Sequence, residues 1–186
     1  MAEQEKIILG VDPGTNYTGY AILEVRGKVL TVAAIGVIDL RKYDSHFLKL
    51  KHIFQRVLGL VDEYHPDELA IEAPFYGKNV QSMLKLGRAQ GAAIAAGLYR
   101  EVPVFEYAPR KIKMAITGEG NASKEQVSAM LVHILRFRDM PKQLDASDAL
   151  AAAVCHYYEN QGLRKSGNSA SWKEFIRKNK DRIADQ

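Results

Sequence analysis

A change of hydrophobic period near Ser45 divides the sequence into two kinds of structure. Before it come three apolar runs, IILGVD at 7–12, residues 18–25 and residues 29–38. The first ends in the turn signal Asp12-Pro13-Gly14, and Arg26-Gly27-Lys28 separates the other two, the pattern of a three-stranded antiparallel meander. After Ser45, Leu50, Ile53, Val57, Leu60 and Tyr64 recur at intervals of three and four, the spacing of an amphipathic helix that ends near Pro66. LAIEAP at 69–74 then reads as a strand, Asn79 to Tyr99 as a helix of small residues, and VPVFEY at 102–107 as another strand. A short helix at 109–117 and a loop, GEGNA at 118–122, follow. Ser123 with Gln126 has the capping-box spacing and opens a helix to about Phe137, and a last helix spans roughly Leu144 to Glu159. This order predicts an α/β fold: a mixed sheet, three antiparallel strands then two parallel, flanked by helices.

At 186 residues, with 47% hydrophobic and 26% charged side chains, the chain has the composition of one globular domain and excludes a disordered or fibrous class. No apolar run approaches the ~18–20 residues that cross a bilayer. Acidic residues precede the first apolar run, so the N-terminus reads as neither signal nor transit peptide. A single cysteine, Cys155, makes neither an internal disulfide nor a thiolate cage, and reads as a small core residue. The expected location is the cytoplasm. The net charge of +4 lies wholly in residues 162–186, which include the linker-like SGNSAS stretch at 166–171 and carry seven Lys or Arg against three acids. The expected division is therefore a domain over 1–161 and a basic tail over 162–186. In that tail Trp172, Phe175, Ile176 and Ile183 share one side at helical spacing, the pattern of a short amphipathic helix; a disordered extension fits the composition as well.

Four carboxylates stand at the ends of expected elements. Asp12 ends the first strand, Glu72 the fourth, and Asp145 and Asp148 open the last helix three residues apart, on one face. Hard oxygen donors gathered at one point repel unless a divalent cation neutralises them, and Mg²⁺ is the natural choice, with Mn²⁺ equally compatible. Singly, each acid fits a plainer role: Asp12 a turn, Glu72 a solvated strand end, Asp145 and Asp148 an N-cap and a first-turn charge. Spacing alone does not prove that the four converge. Between Lys78 and Lys124 lie eight cations against three acids, an excess suited to phosphate contacts or to a solvated face. Phe75 and Tyr76 directly after the fourth strand suit stacking on an exposed base, or a core. The five histidines have no metal-ligand spacing, and Gly118-Glu119-Gly120 lacks the rest of a phosphate-binding fingerprint. Gly87, Gly91 and Ala95 give one helix face a shallow profile that could meet the sheet or a second subunit.

The segments ILGVDPGTNYTGYAI, LAIEAPFYGKN, LKLGRAQGAAIAA, VFEYAPRKIK and LDASDALAAA, in this order over about residues 7–160, resemble the RuvC family of bacterial Holliday-junction resolvases. The resemblance implies a ribonuclease-H-like fold and a structure-selective endonuclease that resolves four-way junctions by paired, symmetric, metal-dependent nicks in recombination and repair. It implies a homodimer, and 5′-phosphate and 3′-hydroxyl ends. It carries the catalytic and metal-binding roles to Asp12, Glu72, Asp145 and Asp148, with two Mg²⁺ ions per site. It carries DNA contacts to Phe75, beside the catalytic Glu, and to Lys113 and Lys124. The implied partners are junction DNA and the RuvA and RuvB junction-migration proteins, and the implied location is the nucleoid within the cytoplasm. Ala73 and Pro109 depart from commoner family residues, and neither removes a carboxylate. Two rival readings remain: a non-catalytic junction-binding protein of the same fold, and an ATP-using member of the wider actin-like superfold. The latter shares the Asp12-Pro13-Gly14-Thr15 turn but needs a second domain for which this chain has no room.

Overall fold

The computed structural model describes residues 5–74, 79–137, 140–141 and 143–166. Phe75, Tyr76 and the tail's apolar stripe at 172–183 lie outside them. The strands β1 (Glu5–Asp12), β2 (Tyr17–Arg26), β3 (Val29–Asp39), β4 (Glu68–Glu72) and β5 (Val104–Tyr107) form one sheet in the order β3-β2-β1-β4-β5. β2 runs antiparallel to both β1 and β3, whereas β4 is parallel to β1 and β5 to β4. This is the mixed sheet the sequence predicts, and its cause is the connections. A tight turn through Gly27 (φ 60°) suffices between β2 and β3. The parallel β1–β4 pair needs a crossover, which α1 (His46–Tyr64) supplies.

Alternation along each strand sends Leu9, Val11, Leu69 and Ile71 to one face of the sheet. There they pack against Ile53 and Val57 of α1 and Ala89 and Ala93 of α2 (Val80–Tyr99). Gly10, Asp12, Ala70 and Glu72 take the other face, which carries α5 (Leu144–Ser166). Every residue of α5 from Ala146 to His156 is buried, as in a helix enclosed on all sides. α3 (Pro109–Thr117) and α4 (Lys124–Leu135) complete the fold.

Helix ends follow local chemistry. Ser123 and Gln126 form the expected capping box, and the Asn79 side chain accepts from the Ser82 N–H at 3.1 Å. α4 stops at Leu135, short of Phe137, because Arg136 turns left-handed (φ 51°). α5 runs past Glu159 to Ser166, through a stretch with no proline to stop it. The chain divides into two compact units, Met1–His156 and Tyr157–Gln186. In the second, the described residues continue the helix, and the rings of Tyr157 and Tyr158 lie 5.5 Å apart.

Candidate active site

Asp12 and Glu72 follow directly on the paired residues Val11 and Ile71, so they stand side by side at the ends of neighbouring strands. The turn after Asp12 is held by buried Thr18, whose hydroxyl donates to the Gly14 carbonyl at 3.1 Å and accepts from the Gly14 N–H at 3.3 Å. Asp145 and Asp148 reach this point because α5 lies directly on the sheet. A Cβ on Gly10 would stand 2.1 Å from the Ala149 carbonyl oxygen, and one on Gly19 would stand 1.9 Å from that of Asp145. Only glycine at these two strand positions permits so close an approach. The four carboxylates therefore come near one another from β1, β4 and the first turns of α5.

Their electrostatics record the meeting. Burial raises the Asp12 carboxyl well above its ordinary range, and the charges of Glu72, Asp148 and Asp145 raise it further. Glu72 is pushed up to about 7, by burial and then by Asp148. Burial likewise raises Asp148, against the opposing pull of Lys124, which donates a hydrogen bond to it. Partial burial works against the charge of Lys124, yet its bond to Asp148 and the nearby Asp12 and Glu72 hold its pKa above the usual lysine value. Among the described residues, no three acidic, histidine or cysteine side chains are gathered closely enough to enclose a single ion. In donor chemistry the set nevertheless fits a hard divalent cation: carboxylate oxygens only, three of them raised by burial and then by one another's charge.

Two hollows flank the carboxylates. One, of about 250 Å³, is lined by Asp12, Glu72, Asp145, Gly14 and Gln90. The other, of about 490 Å³, lies beyond Glu72 and Asp148 and is lined by Arg110, Lys113, Asn121 and Lys124 over an apolar floor that includes Ile112 and Val127. Among the described residues, the cations from Lys85 to Lys124 do not form a single patch. Arg100 pairs with Asp62 at 2.7 Å, Lys111 lies over the Tyr107 ring, and Lys85 and Arg88 act on His46. Arg110, Lys113 and Lys124 are the ones that line the hollow.

Sequence reasoning did not single out Gln90, which is buried and donates to the Glu106 carboxylate at 2.8 Å and to the Glu72 carbonyl at 3.4 Å. Gly10 and Gly19 were also missed, although a glycine inside an apolar strand is itself a signal of close approach. Gly118 (φ 77°) is a helix C-cap, and Cys155 is a buried free thiol. His156 is fully buried, joined to the Tyr107 hydroxyl at 2.6 Å and to Glu68, away from the carboxylates. The Gly87 and Gly91 face of α2 does not meet the sheet, since nothing lies within 4 Å of a Cβ at either position.

The family profile of crossover junction endodeoxyribonuclease RuvC matches residues 8–156. A crossover junction endodeoxyribonuclease RuvC of Cytophaga hutchinsonii is 58% identical over 179 residues, spanning 96% of this chain and 88% of that protein. The protein of the same name from Bacteroides fragilis is 58% identical over 183 residues, 97% of each. Among solved structures, T. thermophilus RuvC in complex with a Holliday junction substrate superposes with a TM-score of 0.78 at 30% identity, covering 84% of this chain and 96% of that one. Among the described residues, no helix is long and apolar enough to cross a membrane.

Proposed function

The chain belongs to the crossover junction endodeoxyribonuclease RuvC family, and from that premise we propose how its own residues divide the work of cutting a Holliday junction. It is a nuclease that resolves such junctions. Asp12, Glu72, Asp145 and Asp148 are the residues that would hold the catalytic metal. The observation that carries this reading is the gathering of these acids from three elements beside Lys113 and Lys124. When bound there, two Mg²⁺ ions, or Mn²⁺, would supply Lewis-acid activation of a water and neutralisation of charge on the leaving 3′-oxygen. The protein's part is to align the carboxylates and to shield them largely from solvent. Lys124 opposes the rise that burial imposes on Asp148, and Gln90 steadies the Glu72 main chain. Lys113 and Lys124 offset the negative charge that builds on the phosphate. Phe75 follows Glu72 closely in sequence and is the proposed contact to the unpaired junction centre.

Two opposed strands must be cut, so we also propose a homodimer with one site per protomer. The exposed face of α2 supports it: Val80, Leu84 and Leu98 are more than half exposed, and Gly87 and Gly91 are open between them. RuvA and RuvB are the proposed partners, and the tail over 162–186 a separate basic appendage.

The test incubates the protein with a labelled immobile four-way junction, with and without Mg²⁺, beside a linear duplex. Paired symmetric nicks on the junction alone, lost in Asp12→Asn while junction binding persists, are expected. Binding without nicking across several junction sequences would make the protein a junction-binding module instead.

A further inference from the structure

Three cations line the larger hollow, and the carboxylates engage two of them. Lys124 donates to Asp148, and the charge of Lys113 acts on both Glu72 and Asp148. Arg110 is exposed and lines the same hollow, yet no acid among the described residues pairs with it. Its position is nonetheless defined. Pro109 occupies the first turn of α3, where its fixed φ suits a helix start, and places Arg110 one turn ahead of Lys113 on the same helix face. Gly118 then ends α3 in a left-handed cap, and the following loop brings Gly120 back against the Arg110 side chain. A Cβ on Gly120 would lie 2.8 Å from Arg110 Cγ and 3.0 Å from its Nε. The stem of Arg110 is thus seated on a bare stretch of backbone, with the Asn121 amide beside the same hollow.

A guanidinium not spent on a carboxylate, held at the rim of a hollow whose inner wall is the nuclease site, suits bidentate recognition of a phosphate. We propose that the outer part of this hollow binds a second DNA backbone phosphate, adjacent to the one being cut. Arg110 is its ligand and Gly120 the residue that positions Arg110. The inference rests on the nuclease reading above, since it takes the strand to run past Glu72 and Asp148. It assigns Arg110 to substrate holding, not to bond cleavage.

The experiment measures junction affinity against salt, and the nicking rate at saturating protein, for the full chain and four variants. Arg110→Ala is expected to weaken junction binding about tenfold, the worth of one charge-assisted contact, and to lower the salt slope by about 0.9 per phosphate given up. Its saturated nicking rate stays within about threefold, because a non-reacting phosphate is bound alike in ground and transition states. Arg110→Lys keeps the slope. Gly120→Ala reproduces the weakened binding, and the Arg110→Ala/Gly120→Ala double variant is no worse than Arg110→Ala alone. An unchanged salt slope in Arg110→Ala overturns the phosphate site. A nicking rate lost at saturation with binding intact overturns it too, by moving Arg110 to the reacting group. Additive losses in the double variant overturn the role of Gly120. If the unaltered chain bound junctions without nicking them, the nuclease reading would fail while the Arg110 slope would still decide this proposal.

Discussion

Glu72 ionises near 7 in the folded protein against an ordinary 4.5, so between those values the folded state binds more protons at this site than the unfolded chain does. Stability contributed by this group is therefore present at low pH and is lost as pH rises from about 4.5 through about 7, amounting to about 3 kcal/mol. Asp12 and Asp148 are shifted in the same direction and add to the loss. His156 works the other way: burial lowers its pKa, and its share of stability falls as pH drops below its ordinary 6.5. Comparing the protein with Glu72→Gln separates the two effects. In chelator, the variant should melt at a higher temperature than the unaltered protein, by a margin that widens from pH 5 to pH 8. Mg²⁺ should stabilise the unaltered protein more than the variant. A margin independent of pH would mean that burial and the neighbouring Asp148 do not raise the Glu72 carboxyl in the fold. The sequence made the four acids visible as residue types at element ends. It could not show their burial, nor that Lys124 is shared with Asp148, because both depend on which elements touch.

At the scale of elements, the contact between α5 and the sheet decides whether the site exists. Leu144 to Cys155 is alanine-rich, which favours a helix and gives it a thin surface, and Gly10 and Gly19 remove the side chains that would hold it away. A methyl group at either glycine would meet a main-chain carbonyl that cannot turn aside as a side chain can. Gly10→Ala and Gly19→Ala should each cost about 1–3 kcal/mol of stability. Each should also slow nicking by at least about tenfold while junction binding is retained, because displacement of about 1 Å at a reacting centre is enough to do so. Melting curves and single-turnover nicking check this. Gly59→Ala, in α1 with nothing within 4 Å of the added group, is the control and should stabilise by up to about 1 kcal/mol with nicking unchanged. Equal nicking in all three would show that α5 need not lie so close.

For the whole molecule, paired cleavage requires two sites at a set separation, and the open face of α2 is where a second copy is expected to dock. Gly91→Glu places a charge there without touching the protomer's own core. Sedimentation should show about half the mass of the unaltered protein, and paired nicks should give way to lost or single ones; an unchanged mass would move the dimer contact elsewhere. Read by itself, the sequence determined the element order, the meander followed by two parallel strands, the capping of α4 and the identity of the acids. Each of these is written in neighbouring residues, as a hydrophobic period, a turn residue or a cap. The tertiary structure alone decided that Asp12, Glu72, Asp145 and Asp148 share one environment. It also decided that Lys85, Arg88, Arg100 and Lys111 engage other groups while Arg110, Lys113 and Lys124 line the hollow, and that Arg110 is seated on Gly120 at its rim. Those facts depend on how closely segments distant in the chain approach, and that distance is set by packing between faces that no local pattern records.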